Sequence, residues 1–407
     1  MHRVIIGLVA LGLLAGACGG TTPATSSPTT AASAATASAA PKAPIKLGAI
    51  LPLTGPSAPT GQDMKDGYEL AVEQINAAGG VNGAPVQVIY EDDKNDPATA
   101  VASWEKLVNS DKVEIMMGGL ASTISLALAE PAKKAKVPMA WTGAAASAFE
   151  TAMKDEPYFF HYHPWDYMNA TSALDFLKSS PVKKFAVVYE DGAFGTSAKD
   201  GFKTTLPAQG QEMTTSEAFK SGSTDFTALL NRVKASGAEG LILVPFAADV
   251  VPFLTQMREV GYKPKLIYAS PPSFPPDFGK SPVAEGVAGL TLWTPDIPAA
   301  ATKKFVADWA KKYPSKAITT VSYWAPLAYT NIITAVDALK KSGTGNTAGW
   351  ITAMEATKYD SPIGPTLQFK PSQGTKHQGF TGLVTFQWQS GKQEIVFPDS
   401  LATAKLK

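Results

Sequence analysis

Cysteine is nearly absent from this chain: Cys18 is the only one in 407 residues. Past that point disulfides, thiolate metal sites and cysteine nucleophiles are excluded. Histidine is almost as scarce, at His2, His161, His163 and His377, so a His-Glu-x-x-His zinc helix cannot be built. There is no Gly-x-Ser-x-Gly elbow and no Walker A loop. The nearest thing to a dinucleotide loop, Gly343-Thr344-Gly345, follows a helical pattern rather than a strand and reads as a solvated turn. An excess of one charge is also missing, since 36 Lys and Arg face 35 Asp and Glu for a net charge of +1. The longest cationic runs are pairs such as Lys133-Lys134, Lys183-Lys184 and Lys303-Lys304, so nucleic acid is excluded as a partner. After Cys18 no apolar stretch reaches the length of a membrane span. These absences leave no catalytic residue, no metal site and no cofactor to assign.

What is present begins at the N-terminus. Met1, His2 and Arg3 make a positive head, and Val4 to Leu14 is an apolar run too short to span a bilayer but suited to a secretory signal. Ala15-Gly16-Ala17-Cys18-Gly19 then resembles the lipobox of bacterial lipoproteins, with Ala15 where that pattern prefers Leu. The resemblance implies a signal peptide (residues 1–18) cut before Cys18, whose sulfur carries a diacylglycerol. Buried acyl chains contribute ~0.8 kcal/mol per methylene, enough for two or more to hold a protein on a membrane. Residues 19–44 are almost wholly Gly, Thr, Ser, Ala and Pro and have nothing to bury. They are expected to form a disordered tether with a reach of roughly 30 Å.

Signal and tether leave about 360 residues, enough for two domains, and 45% hydrophobic against 17% charged residues supplies a sizeable core. Short β-rich runs recur at Ile45–Leu51, Val86–Tyr90, Val113–Met117, Phe185–Tyr189, Leu241–Val244, Leu266–Ala269 and Leu290–Trp293. Helical spacing fills the intervals: Met64, Tyr68, Ala71, Val72 and Ile75 in Gln62–Ala78, then Val101, Trp104, Leu107 and Val108 after Asp96-Pro97. Further helices fit Ser122–Lys136, Tyr167–Ser179, Thr196–Gln209, Asp225–Ser236, Val250–Val260, Thr302–Tyr313 and Ser322–Lys341. Such alternation implies an α/β fold with parallel sheets covered on both faces. Two blocks appear, one from Ile45 and one from Phe185, each opening with a strand that ends in a glycine-containing loop. Ligands sit beyond the carboxyl ends of such strands. His161 and His163 alternate in an extended stretch and read as structural or ligand-lining. Glu91-Asp92-Asp93 and Asp96 read as a solvated turn and a helix N-cap.

Several stretches in order resemble the leucine-binding-protein family of extracytoplasmic solute receptors. They are Ile45-Lys46-Leu47-Gly48-Ala49-Ile50-Leu51-Pro52-Leu53-Thr54-Gly55, Glu69 to Gly80, Glu91-Asp92-Asp93 with Asp96-Pro97, Val187 to Asp191 with Phe194-Gly195, and Thr224 to Leu230. The resemblance implies a type I periplasmic-binding fold, two doubly wound parallel-sheet lobes joined by a three-strand hinge. Lobe one is expected at 45–164 and 295–360, lobe two at 165–294 and 361–400. The implied function is a solute-binding component of an ABC importer. It would be a monomer, lipid-anchored outside the cytoplasmic membrane, delivering a small solute to a permease driven by its ATPase. A ligand-sensing receptor on the same fold and a secreted hydrolase are the alternatives.

The resemblance also carries site residues. The ligand carboxylate is expected at a helix start matched by Ala121, Ser122 and Thr123, with Ser122 as N-cap and anion contact where the helix dipole favours negative charge. A second element is matched by Gly143, Ala144 and Ala145, where relatives place a hydroxyl that Ala145 lacks. The acidic residue that pairs an ammonium in relatives is missing at Ser270, and Asp166 is the substitute, with an N-cap role as its other reading. Phe194 falls where relatives carry a lid tyrosine. Phe246, Trp141, Trp165, Tyr323 and Trp324 lie at loop or helix-start positions that could line a cleft. The expected ligand is a branched-chain or aromatic amino acid, or an aromatic acid without the amine.

Overall fold

The computed structural model describes residues 42–269, 274–275 and 277–407. The expected signal peptide, the lipidated Cys18, nearly all of the tether and Ser270 lie outside the described residues. The head opens with β1 (Ile45–Leu51), α1 (Ala58–Ala77), β2 (Val86–Asp92), α2 (Pro97–Glu105), β3 (Met116–Gly118), α3 (Ser122–Ala135), β4 (Met139–Trp141), α4 (Ser147–Ala152) and β5 (Phe159–His161). These five strands form one sheet in the order β2-β1-β3-β4-β5, parallel throughout.

The pattern then repeats through α5 (Asp166–Ser179), β6 (Lys184–Glu190), α6 (Ala193–Ala208), β7 (Glu212–Phe219), α7 (Thr227–Ala235), β8 (Gly240–Val244), α8 (Ala247–Glu259), β9 (Leu266–Ala269) and β10 (Val287–Thr291). Its parallel strands run β7-β6-β8-β9-β10, the same winding as the first sheet. The chain returns to the first sheet with α9 (Ala300–Lys312), α10 (Trp324–Ser342), α11 (Thr347–Glu355) and the short pair β11 (Tyr359–Asp360) and β12 (Thr366–Leu367). It ends in β13 (Val384–Gln389) and β14 (Lys392–Phe397), which extend the second sheet antiparallel beside β10.

The reasons are local. Leu47 to Leu51 are buried because β1 is covered on both faces. Asp96 caps α2 by accepting from the Thr99 amide at 2.7 Å, with Pro97 in the first turn where its missing N–H is harmless. The turns after α2 widen into a π-helix over Lys106–Asp111, keeping Trp104 and Leu107 buried. α1 and α10 touch backbone to backbone at Gly67, where a Cβ would stand 2.1 Å from the Ala325 carbonyl. Lys316, in the connection between α9 and α10, ties that connection to α1, 2.6 Å from Asp63 and 2.9 Å from Asp66.

Seven strands escape the sequence reading. β4, β5, β11 and β12 have three residues or fewer, too few to display a period. β7 is a half-exposed polar edge strand, and the closing pair β13 and β14 falls outside that reading. One boundary also moves. Residues 366–380, expected in lobe two, lie on the first sheet: Gly379 donates to the His161 carbonyl at 2.7 Å and Phe380 to that of Tyr162 at 3.1 Å. They cover the edge of β5, whose backbone would otherwise be unpaired.

The acidic turn after β2 is not uniformly solvated. Asp92 accepts from the amides of Leu53 and Lys94 at the surface, whereas Asp93 is wholly buried. Its Oδ1 accepts from the Asn95 amide at 2.8 Å and its Oδ2 has no partner among the described residues. Burial pushes its pKa up to about 6, the Asn95 amide opposing and the Asp92 charge adding to the rise. A carboxyl whose pKa rises on folding supplies stability that is fully present below 3.8 and lost as the pH passes about 6. Asp93→Asn is therefore expected to raise stability at neutral pH by roughly 1–3 kcal/mol and to flatten the decline between about pH 4 and 6. Urea unfolding across that range checks it.

Candidate functional site

In both sheets the winding reverses beside the first strand of the block, β1 against β3 and β6 against β8, the place where a crevice opens in such sheets. Loops leaving the carboxyl ends converge there on one cavity. Leu120 follows β3, Ala144 and Ala145 follow β4, and His163 follows β5; Phe194 and Phe246 come from the second block, and Trp324 opens α10. The cavity measures only about 10 Å³, room for about one water molecule at most. A solute therefore enters only when the two sides part or the rings move.

On the second side, the Phe194 and Phe246 ring centroids stand 5.9 Å apart and form one aromatic wall. Several contacts hold the sides together. Thr123 Oγ1 on α3 accepts from the Ala193 amide at the start of α6, at 3.0 Å. Asp166 bridges the two sheets' helices, accepting from the Ser147 amide at 3.1 Å and its hydroxyl at 2.5 Å on α4, and from the Ser197 hydroxyl on α6. Burial raises its pKa, the Ser147 donors opposing.

The loop after β4 is locked from both sides. Ser122 Oγ accepts from the amides of Ala145 and Ala146, each at 3.1 Å. His161 Nε2 lies 2.9 and 2.8 Å from the carbonyls of Gly143 and Ala144, so it carries the proton and donates. Burial pushes the pKa of His161 down to about 4. Its ring stacks on Trp165 at 3.7 Å. His163 Nδ1 donates to the Pro164 carbonyl at 2.7 Å, leaving Nε2 to accept from the Tyr323 hydroxyl at 2.9 Å. Burial again dominates, lowering the His163 pKa to about 3, with His161 adding to the effect. Gly118 and Gly119 take φ of +103° and +75° to turn β3 toward this loop, and a Cβ on Gly119 would stand 2.2 Å from the Trp141 ring.

Of the expected site residues, Ala144, Ala145, Phe194 and Phe246 line the cavity. The others are placed differently. Ser122 is not the N-cap of α3; that position is Ala121, and the serine hydroxyl is turned onto the neighbouring loop. Asp166 is the first residue of α5 rather than its cap, and its carboxylate is occupied by Ser147, Ser197 and the Tyr167 amide. Trp141 is core: fully buried, it donates to Ser125 Oγ at 3.0 Å and packs on Trp104 and Phe149. Trp165 packs on Phe149 and His161. Gly143 backs the loop, its carbonyl held by His161, and Thr123 serves the closure contact. Tyr323 lines a neighbouring cavity of about 80 Å³ and reaches the site through His163. Trp324, expected as a residue that could line a cleft, and His163, read as structural or ligand-lining, also line the cavity; Leu120 carries no signal that separates it from any core leucine.

Residues 44–393 match the family model described as periplasmic binding protein. The chain belongs to that family. Among its relatives, Leu/Ile/Val-binding protein homolog 7 of Brucella abortus (strain 2308) is 26% identical over 388 residues, covering 90% of this chain and 94% of the relative. Homolog 8 from the same strain is 25% identical over 383 residues, covering 90% and 93%. Solved periplasmic binding proteins share the fold. An ABC transporter solute-binding protein from R. palustris, in complex with 4-hydroxybenzoate, superposes with a TM-score of 0.77 at 23% identity, covering 86% of this chain and 95% of that one. The branched-chain amino acid transporter substrate-binding protein of Streptococcus pneumoniae, in complex with isoleucine, gives 0.73 at 21% identity, covering 86% and 98%. The α/β architecture of two parallel sheets is thus that of the type I periplasmic binding proteins.

Ser122→Ala removes the acceptor of two buried amides in the cavity-lining loop of this binding protein. A loss of about 2 kcal/mol in urea-unfolding free energy is expected, with Ser122→Thr retaining most of it.

Proposed function

We propose that this chain is the extracytoplasmic solute receptor of an ABC importer. In this reading the first sheet with α1–α4 and α9–α11 is one lobe, and the second sheet with α5–α8 is the other. The connecting segments at 162–165, 292–299 and 381–383 serve as the hinge. A small hydrophobic carboxylate, either an amino acid of branched-chain type or an aromatic acid, binds between the lobes. Its differential affinity for the closed arrangement shifts the equilibrium toward the form a permease recognises. Acylated Cys18 holds the receptor on the outer face of the cytoplasmic membrane, and residues 19–44 give it reach.

The observation that carries the reading is the meeting of loops from two identically wound sheets on one apolar cavity. Membership of the periplasmic binding protein family supports it, as do the Leu/Ile/Val-binding names of the Brucella relatives and the hydroxybenzoate and isoleucine complexes of the structural neighbours.

The full chain, purified in detergent and titrated calorimetrically with leucine, isoleucine, benzoate and 4-hydroxybenzoate, is expected to bind at least one of them with a Kd of about micromolar or tighter. Silence toward all four would overturn the proposal. The anchor is checked separately: Cys18→Ser is expected to move the protein from the membrane fraction to the soluble one, and an unchanged distribution removes that part of the reading.

A further inference from the structure

Four buried indole N–H groups have no hydrogen-bond partner among the described residues, those of Trp165, Trp293, Trp324 and Trp388. Of these rings only that of Trp324 lines the cleft cavity. It is 2% exposed. Its orientation is held by stacking on His163, at 4.9 Å and 6° between planes, and on Tyr323 at 5.0 Å. His163 is itself pinned by Pro164 and the Tyr323 hydroxyl. A buried donor in a fixed ring lowers its free energy by meeting an acceptor, and within the cleft a bound solute can bring one.

The same cavity is built against cations. Among the described residues no carboxylate lines it. The acids nearby in the chain are engaged: Asp166 as described, Glu190 by the amides of Gly192 and Gly195, each at 2.7 Å, and Asp249 by Ser221, Gly222 and the Phe246 amide. The carbonyls of Gly143 and Ala144 accept from His161, that of Ala145 from the Asp166 amide, and His163 Nε2 from Tyr323. The field has the opposite preference. Four helices of thirteen or more residues begin at the cavity: α3 just after Leu120, α6 at Phe194, α8 behind its N-cap Phe246, and α10 at Trp324. Each presents the positive end of its dipole, which favours an anion and disfavours an ammonium.

We propose that Trp324 is the polar anchor of the ligand, donating its indole N–H to a ligand oxygen, and that the ligand class is an aryl or arylalkyl carboxylate without an α-amino group. The proposal rests on the receptor reading above and narrows it. Phe194, Phe246 and the Trp324 face supply flat apolar walls for the ring, and the converging helix ends supply the field for the carboxylate.

The test uses the full chain and the matched probes 3-phenylpropanoate and L-phenylalanine, with benzoate and leucine alongside. The wild type is expected to bind 3-phenylpropanoate at least about tenfold more tightly than L-phenylalanine. Trp324→Phe keeps the stack and deletes the donor. It should lower carboxylate affinity by about tenfold while the melting temperature of the ligand-free protein stays level or rises, because an unpaired donor has been removed. A merely structural tryptophan would instead lower that temperature. In the wild type, one of the eight indole N–H resonances is expected to move on adding 3-phenylpropanoate; this readout needs no variant. Unchanged affinity in Trp324→Phe, or indole resonances that all stay in place, overturns the anchor. Equal or tighter binding of L-phenylalanine or leucine overturns the ligand class and leaves the receptor reading standing. Binding of none of the four probes overturns both.

Discussion

A parallel strand must be followed by a crossover, so each strand's carboxyl end and the next helix's amino end fall on one edge of the sheet. Everything at the cavity follows from that constraint applied twice. Two sheets wound in the same order set those edges against each other, so four helix starts and the loops before them share one small space. No lysine or arginine lines that space among the described residues. Its positive character comes from backbone dipoles, which are fixed in place when the helices form.

The polar groups around the cavity are mostly consumed in building it. Ser122 Oγ and His161 Nε2 spend their hydrogen bonds on one four-residue loop, and Asp166 spends its carboxylate across the two sides. Buried polar atoms have to be paired somewhere, and here most are paired within the protein. What is left over is informative for that reason. A carboxylate already holding three partners is a poor seat for an ammonium, whereas an indole N–H with none is a group in search of an oxygen. Aromatic side chains do the remaining work: one apolar cluster runs from Trp104 and Trp141 through Phe149 and Trp165 to Phe194 and Phe246. Any separation of the two sides therefore exposes rings, together with the Asp166 carboxylate that bridges them.

Much of this was legible before any coordinates. Helices were readable wherever a buried stripe ran for three turns or more, as in α1 and α10, and strands wherever a run such as Ile45–Leu51 was apolar on both faces. Ala144, Ala145 and Phe194 were named through the family resemblance, and Phe246 as an aromatic at a helix start, a position that places it at the loop edge of the sheet. The three-residue strands β4 and β5 were not readable, since a period of two needs more than three residues to show itself. By contrast, β3 was legible through the longer apolar run Val113–Met117. Asp93 misled in the other direction: its acidic neighbours suggested water, while its own side chain points inward.

The one-dimensional pattern determined the α/β class, the double repeat of strand and helix, and the set of residues that arrive at the loop edge, because periodicity and turn chemistry are local properties. Which of those residues face the cavity was decided only by tertiary structure. Ser122, Asp166 and Trp141 sit within a few residues of it, yet each is turned toward a partner distant in sequence. Trp324 arrives from the far end of the chain to complete the wall. Side-chain direction at a helix start depends on which neighbour offers the better burial or hydrogen bond, and that neighbour exists only once the chain has folded.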